Sequence, residues 1–211
     1  DGIMMKDVKV ILSPEAEEVY KKLNAEAETL VGGVLGGALK QGTLKQGQEI
    51  EIRPGRKTEK GGKVLWEPLI TTIDSLKSGG IMFKELQPGG SLGLQTTLDP
   101  SLIKSDQVSG NIVGLKGKMP PVWYEFELKI FLLQRIVGAK DDLVVEPIKK
   151  LEPLMLNVNS AATVGVVSLL KKDGVSLILK LPVCCNKTDK ITISRRIGSR
   201  WRLIGYGEIV K

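Results

Sequence analysis

"VGVVSLLKKDGVSLILKLPV" occupies residues 164–183, two apolar runs with a polar break between them. Val164–Leu170 comes before the break and Val175–Leu181 after it. Val175, Leu177, Leu179 and Leu181 recur at period two, which places one face of an extended strand in a core and the other in water. Asp173-Gly174 suits a tight hairpin, whose central residues need positive φ. The stretch predicts two antiparallel strands joined by a short turn.

The same period governs the chain from residue 31 onward. Phe126, Leu128, Ile130 and Leu132 alternate with polar neighbours in "YEFELKIFL" (124–132), and Leu154, Leu156 and Val158 do so in "LMLNVNS" (154–160). Ile50 and Ile52 alternate with Glu49, Glu51 and Arg53, and Ile191 and Ile193 repeat the pattern. Turn signals punctuate these runs at "RPG" (53–55), "KGGK" (60–63), "SGG" (78–80), "PGG" (88–90) and "DPS" (99–101). Many short strands at such spacing predict an all-β fold of two barrels with Greek-key-like connections. Met119-Pro120-Pro121-Val122 interrupts the rhythm, since two prolines cannot donate ladder hydrogen bonds. The expected domains are 31–119 and 120–211.

Residues 1–30 differ from the rest. Val8–Leu12 reads as a strand. Ser13 at an N-cap and Pro14 at the first helical position then predict a helix over about 14–27. Charge follows the same division, because residues 1–30 are acidic within a chain of net charge +7. A basic body favours polyanions. No apolar run approaches the roughly 20 residues that span a bilayer, and no secretory signal is expected at the N-terminus. The expected location is cytoplasmic, without a membrane partner.

Histidine is absent, which removes the commonest general base and zinc ligand. Cys184 and Cys185 are adjacent and form neither a disulfide framework nor a metal site by themselves; two reduced thiols in a strand are expected, with a vicinal redox pair as the alternative. No catalytic residue and no metal site is assigned. "NKTD" (186–189) matches the guanine-reading motif of GTPases. No Gly-x4-Gly-Lys-Ser/Thr phosphate loop accompanies it in these residues, so Asn186 and Asp189 are read as turn formers. "VGGVLGGALKQG" (31–42) holds four glycines within 32–37, and glycines in a strand mark a bend or a close approach of backbone or ligand.

Taken together, "GGVLGGALKQGTLKQGQEIEIRPG", "PGGSLGLQTTLDPSLIKSDQVSGNIVG", "LLQRIVGAK" and "ISRRIGSRWRLIGYG" resemble the gamma subunit of archaeal and eukaryotic translation initiation factor 2, over essentially 32–211. The resemblance implies its second and third domains, both elongation-factor-like β-barrels. It implies a non-catalytic part in carrying initiator methionyl-tRNA to the small ribosomal subunit, alongside alpha and beta subunits, with 31–119 docking the alpha subunit. GTP and magnesium would belong to the family's GTPase domain, which has no counterpart in this sequence. The family's first strand of the second domain also lacks a counterpart; residues 1–30 stand in its place, and Val8–Leu12 is expected to substitute for it, with a foreign segment at 1–30 as the alternative.

By the same resemblance, Val34 and Gly36 on the glycine-rich strand, Lys77, Gly79 and Gly80 on a facing loop, and Gly93 are the expected contacts for the aminoacylated tRNA end. The competing expectation is a protein-docking scaffold that no longer binds tRNA. In "ISRRIGSRWRLIGYG" (193–207), Arg195, Arg196, Arg200 and Arg202 are expected on the terminal strand pair, with Gly198-Ser199 near the turn and Trp201, Leu203 and Tyr206 helping to close the core. The arginines are read chiefly as a solvated or protein-facing surface, with RNA contact as the alternative.

Overall fold

A computed structural model describes residues 2–7, 32–103, 107–137 and 143–211. The stretches read as a strand at Val8–Leu12 and a helix at 14–27 lie outside the described residues. The chain divides into two compact units, Asp1–Met119 and Pro120–Lys211.

In the first unit the strands are β1 (Gly2–Asp7), β2 (Val34–Leu39), β3 (Leu44–Lys45), β4 (Glu49–Lys60), β5 (Lys63–Ser78), β6 (Ile81–Phe83), β7 (Glu85–Leu86), β8 (Ser91–Thr96) and β9 (Ile112–Leu115). The main sheet runs β4-β9-β1-β2-β8-β5-β6, and β4 also pairs with β5, so the sheet curls round until its strands close on themselves. Strand β1 completes that ring: Ile3 is opposite Leu39 of β2 on one side and Val113 of β9 on the other. Leu35, Ile50, Ile52, Ile73, Leu76 and Leu94 fill the interior. Glu51, assigned to water by its alternation, is only 4% exposed. Its carboxylate accepts from Arg53 Nε at 2.6 Å and from the Gly117 backbone N–H at 3.2 Å. Those bonds satisfy the buried charge, so the outer face of β4 is covered here without an apolar residue.

The second unit is a closed barrel of β10 (Val122–Leu132), β11 (Pro153–Val158), β12 (Ala161–Lys171), β13 (Gly174–Cys184), β14 (Lys190–Ile197) and β15 (Arg200–Ile209), ordered β10-β13-β12-β11-β14-β15. Every pairing is antiparallel. Phe126, Leu128, Leu154, Leu156, Val158, Leu177, Ile191 and Ile193 meet inside it, all at positions that the period of two points inward. The predicted hairpin forms, one residue earlier than its sequence suggests. Lys171 pairs with Gly174, leaving Lys172 and Asp173 as the loop, and neither has positive φ. Gly174 instead lies in the ladder opposite Lys129, where a Cβ would fall 2.1 Å from the Leu128 carbonyl oxygen. The glycine serves a close strand approach.

Two bulges reverse parity. Between β10 and β13 the register shifts from Trp123↔Val183 to Glu125↔Ile178. The extra residues turn Leu181 outward, 46% exposed, while Val183 goes in. Buried Thr163 bridges the gap, donating its hydroxyl to the Leu181 carbonyl at 2.8 Å and accepting the Leu181 N–H at 3.0 Å. Between β14 and β15, Ile193 pairs with Gly205 but Ser194 with Leu203, so Ile204 is the extra residue. Ile204 is fully buried, and every position before it changes face. Trp201 is therefore outside the core, 36% exposed, contrary to the unbroken alternation; Leu203 and Tyr206 are half-buried.

Candidate functional site

The register of the first sheet brings the glycine-rich strand beside the lysine. Gly36 of β2 is opposite Gly93 of β8, and Gly93 is opposite Lys77 of β5. The row continues to Asp7 of β1 at one end and Met82 of β6 at the other. Beneath it runs a buried row, Leu35–Leu94–Leu76, each fully inaccessible. Since successive side chains alternate, Gly36, Gly93 and Lys77 share the outer face. Val34 lies on that face too, one pair further on, opposite Gln95, which in turn faces Ser75. Ser75 Oγ donates to Gln95 Oε1 at 2.9 Å.

The result is a shallow backbone floor: two adjacent glycines without side chains, an exposed ammonium at one edge, and a polar pair above. A Cβ built on Gly93 would meet nothing within 4 Å. Packing does not require glycine there, and its absence of a side chain keeps the floor open. Gly79 and Gly80 have a different cause. They form the two-residue turn between Ser78 and Ile81 with φ of 54° and 87°, which the turn itself demands. Met82, Gln95 and Ser75 are not legible in the sequence as neighbours of this row, because strand pairing across the sheet is non-local. Exposed Ile81, Met82 and Phe83 carry no signal beyond an apolar triplet.

The four arginines separate into two classes. Arg195 is bound up in the fold: Nε and Nη2 reach the Glu152 carboxylate, and Nη1 and Nη2 donate to the carbonyls of Glu146 at 2.8 Å and Pro147 at 3.1 Å. Arg196 lies opposite Trp201, Arg195 opposite Arg202, and Ile197 opposite Arg200, around the Gly198-Ser199 turn with φ of 59° at Gly198. Arg196, Arg200 and Arg202 have no carboxylate partner among the described residues.

"NKTD" is a turn. The Asp189 carboxylate accepts from the Asn186 backbone N–H and from Asn159 Nδ2, both at 2.9 Å, so its lone pairs are turned into the loop. Cys184 and Cys185 are both buried thiols outside any disulfide. Cys184 Sγ donates to the Pro120 carbonyl. Burial, then the Asp189 and Cys184 neighbours, push the Cys185 thiol up to about 12. Only the thiolate is nucleophilic. Ellman's reagent at pH 8 is expected to titrate neither cysteine in the native protein and both in guanidinium chloride. Because the folded value lies above the unfolded one, Cys185 favours folding fully below about pH 9 and loses that contribution as pH rises towards 12. Rapid native labelling would contradict this burial. Among the described residues no cluster of three or more His, Cys, Asp or Glu is placed to hold a metal.

Residues 124–209 match the family described as initiation factor eIF2 gamma, C terminal. The translation initiation factor 2 subunit gamma of Pyrococcus furiosus is 53% identical over 182 residues, 86% of this chain and 44% of that protein. The subunit gamma of Methanocaldococcus jannaschii is 49% identical over 188 residues, 89% of this chain and 46% of that protein. The chain thus spans just under half the length of these relatives. Among solved structures, a bacterial selenocysteine-specific elongation factor, EF-Sec, superposes on 99% of this chain and 27% of its own, with a TM-score of 0.65 and 16% identity. That last likeness concerns the fold alone.

Proposed function

The chain is related to the gamma subunits of translation initiation factor 2 and carries their C-terminal domain at residues 124–209, and from this kinship we propose that it handles initiator methionyl-tRNA as a non-catalytic part of that factor. In this reading the first unit is the factor's second domain and the second unit its third. Both act in the cytoplasm with alpha and beta subunits, at the small ribosomal subunit. Guanine-nucleotide and magnesium chemistry is assigned to a GTPase domain, and the two β units bind neither.

The observation that supports tRNA handling is the row Gly36–Gly93–Lys77. Two glycines side by side let a ribose or base approach the backbone, where N–H and C=O groups can meet it. The exposed Lys77 ammonium stands at the edge, where a phosphate of the single-stranded tRNA end would pass. The experiment compares acylated with deacylated initiator tRNA. Acylated tRNA is expected to bind more tightly, and Gly93→Ala to weaken it, although the new methyl group meets nothing in the protein itself. Lys77→Gln should flatten the log–log salt slope by about 0.7, the share of one single-strand phosphate. Equal affinity for both tRNA forms would defeat this reading.

A second reading has its own support. Strand β6 ends the sheet, and its Ile81, Met82 and Phe83 are all exposed. An apolar edge strand is a template for pairing with another chain. Docking of a protein partner, the alpha subunit in this family context, is proposed for the first unit.

A further inference from the structure

The tip of the β14–β15 hairpin combines features that the tRNA-end reading does not use. Trp201 faces outward because Ile204 bulges, and Arg196 stands directly across the ladder on the same face. Arg200 and Arg202 occupy the opposite face of the ribbon, and Arg200 flanks the Gly198-Ser199 turn. The tip therefore bears cations on both faces and one large aromatic ring on its surface.

We propose that this hairpin tip is an RNA-binding element, in which Arg196, Arg200 and Arg202 contact phosphates and Trp201 stacks on an unpaired base. Three observations favour RNA over a protein partner. Among the described residues, the carboxylates around Arg195 are already engaged: Glu152 is held by Arg195, and Glu146 is paired with Lys149 at 3.0 Å. Arg196, Arg200 and Arg202 are left without an acidic partner among the described residues, and three guanidinium charges on one hairpin tip are complementary to a polyanion. The exposed apolar surface at the tip is a flat ring, and every nucleobase offers it a π-face. Lastly, the arginines are spread over two faces of a narrow ribbon. That distribution follows a winding backbone better than it does a flat protein patch.

Arg195 is excluded from the contact, since its guanidinium is committed to Glu152, Glu146 and Pro147. The site lies on the second unit and does not require the Gly36–Gly93–Lys77 row, so each can fail separately.

The test uses the full chain and a short single-stranded RNA oligonucleotide with no aminoacyl group, titrated across salt concentrations. Inorganic polyphosphate serves as the charge control. Changing Arg196, Arg200 and Arg202 together to Gln should flatten the RNA salt slope by about 2 units, near 0.7 for each single-strand phosphate that is no longer neutralised. Trp201→Ala should weaken RNA binding about 5- to 100-fold with an unchanged slope, the usual effect of removing one base–aromatic stack. Polyphosphate binding should be insensitive to Trp201→Ala. Intrinsic tryptophan fluorescence should be quenched by RNA in the wild type and much less so in Trp201→Phe. All these positions are at the surface, so the melting temperature should stay constant; Arg195→Gln is the opposite control, lowering stability while leaving the slope alone. An unchanged slope in the triple variant would overturn the proposal and assign the patch to a protein or to solvent. So would equal RNA affinity of Trp201→Ala and wild type.

Discussion

Removing Gly2–Asp7 is expected to unfold the first unit and leave the second intact. Strand β1 lies between β9 and β2, so its loss breaks two ladders at once and exposes the facing edges of Val34–Leu39 and Ile112–Leu115. Each backbone hydrogen bond contributes about 0.5–1.5 kcal/mol net. Several disappear together, on the order of 5 kcal/mol, against a typical domain stability of about 5–15 kcal/mol. Unpaired edges also seed association between molecules. Calorimetry should show one transition disappear while the second barrel's persists, and the truncated chain should be less soluble. Two unaltered transitions would make β1 an appendage to a sheet already closed without it.

Gly174→Ala should be the most damaging conservative substitution in the second barrel. The added methyl would stand 2.1 Å from a backbone carbonyl, that of Leu128, which has no rotamer by which to move away. Relief requires β10 and β13 to part, at about 3 kcal/mol or more. Gly198→Ala is the matched comparison: its φ is 59° and the space around it is open, so only the backbone penalty of about 1 kcal/mol applies. Urea midpoints measured for both variants decide between two roles for Gly174. Equal destabilisation would mean that it is needed by the turn and not by the neighbouring strand.

Much of this architecture is legible in the sequence because burial on one face of a strand leaves a local imprint. Phe126, Leu128, Leu154, Leu156, Ile191 and Ile193 declare their inward face without any knowledge of their neighbours. Parity fails where a bulge inserts a residue; Pro182 beside Leu181 hints at one, since it cannot donate to the ladder, but nothing near Ile204 announces the other. For that reason alternation puts Trp201 in the core, although its exposure is what gives the arginine cluster a stacking surface. Alternation likewise puts Glu51 in water, because it cannot see Arg53 Nε and the Gly117 N–H folding back over the carboxylate. The glycines are visible as a cluster; that Gly36 meets Gly93 and Gly93 meets Lys77 depends on the pairing of distant strands. Arg195 differs from its three neighbours only through Glu152, Glu146 and Pro147, which lie far away in sequence.

The position of β1 also has a consequence for the order of events during synthesis. Gly2 leaves the ribosome long before its ladder partner Gly114, which lies near the end of the unit. At about 5–20 residues per second, β1 waits roughly 5–20 s before β9 exists to receive it. Through that interval β2 can offer β1 a partner on one side only, and the nascent sheet has an unclosed seam. Barrel closure then joins segments far apart in the chain, the kind of contact that makes β topologies slow to fold. Fast translation of 40–111, or a chaperone that shields the seam, would raise the yield of correctly closed protein without altering its final stability.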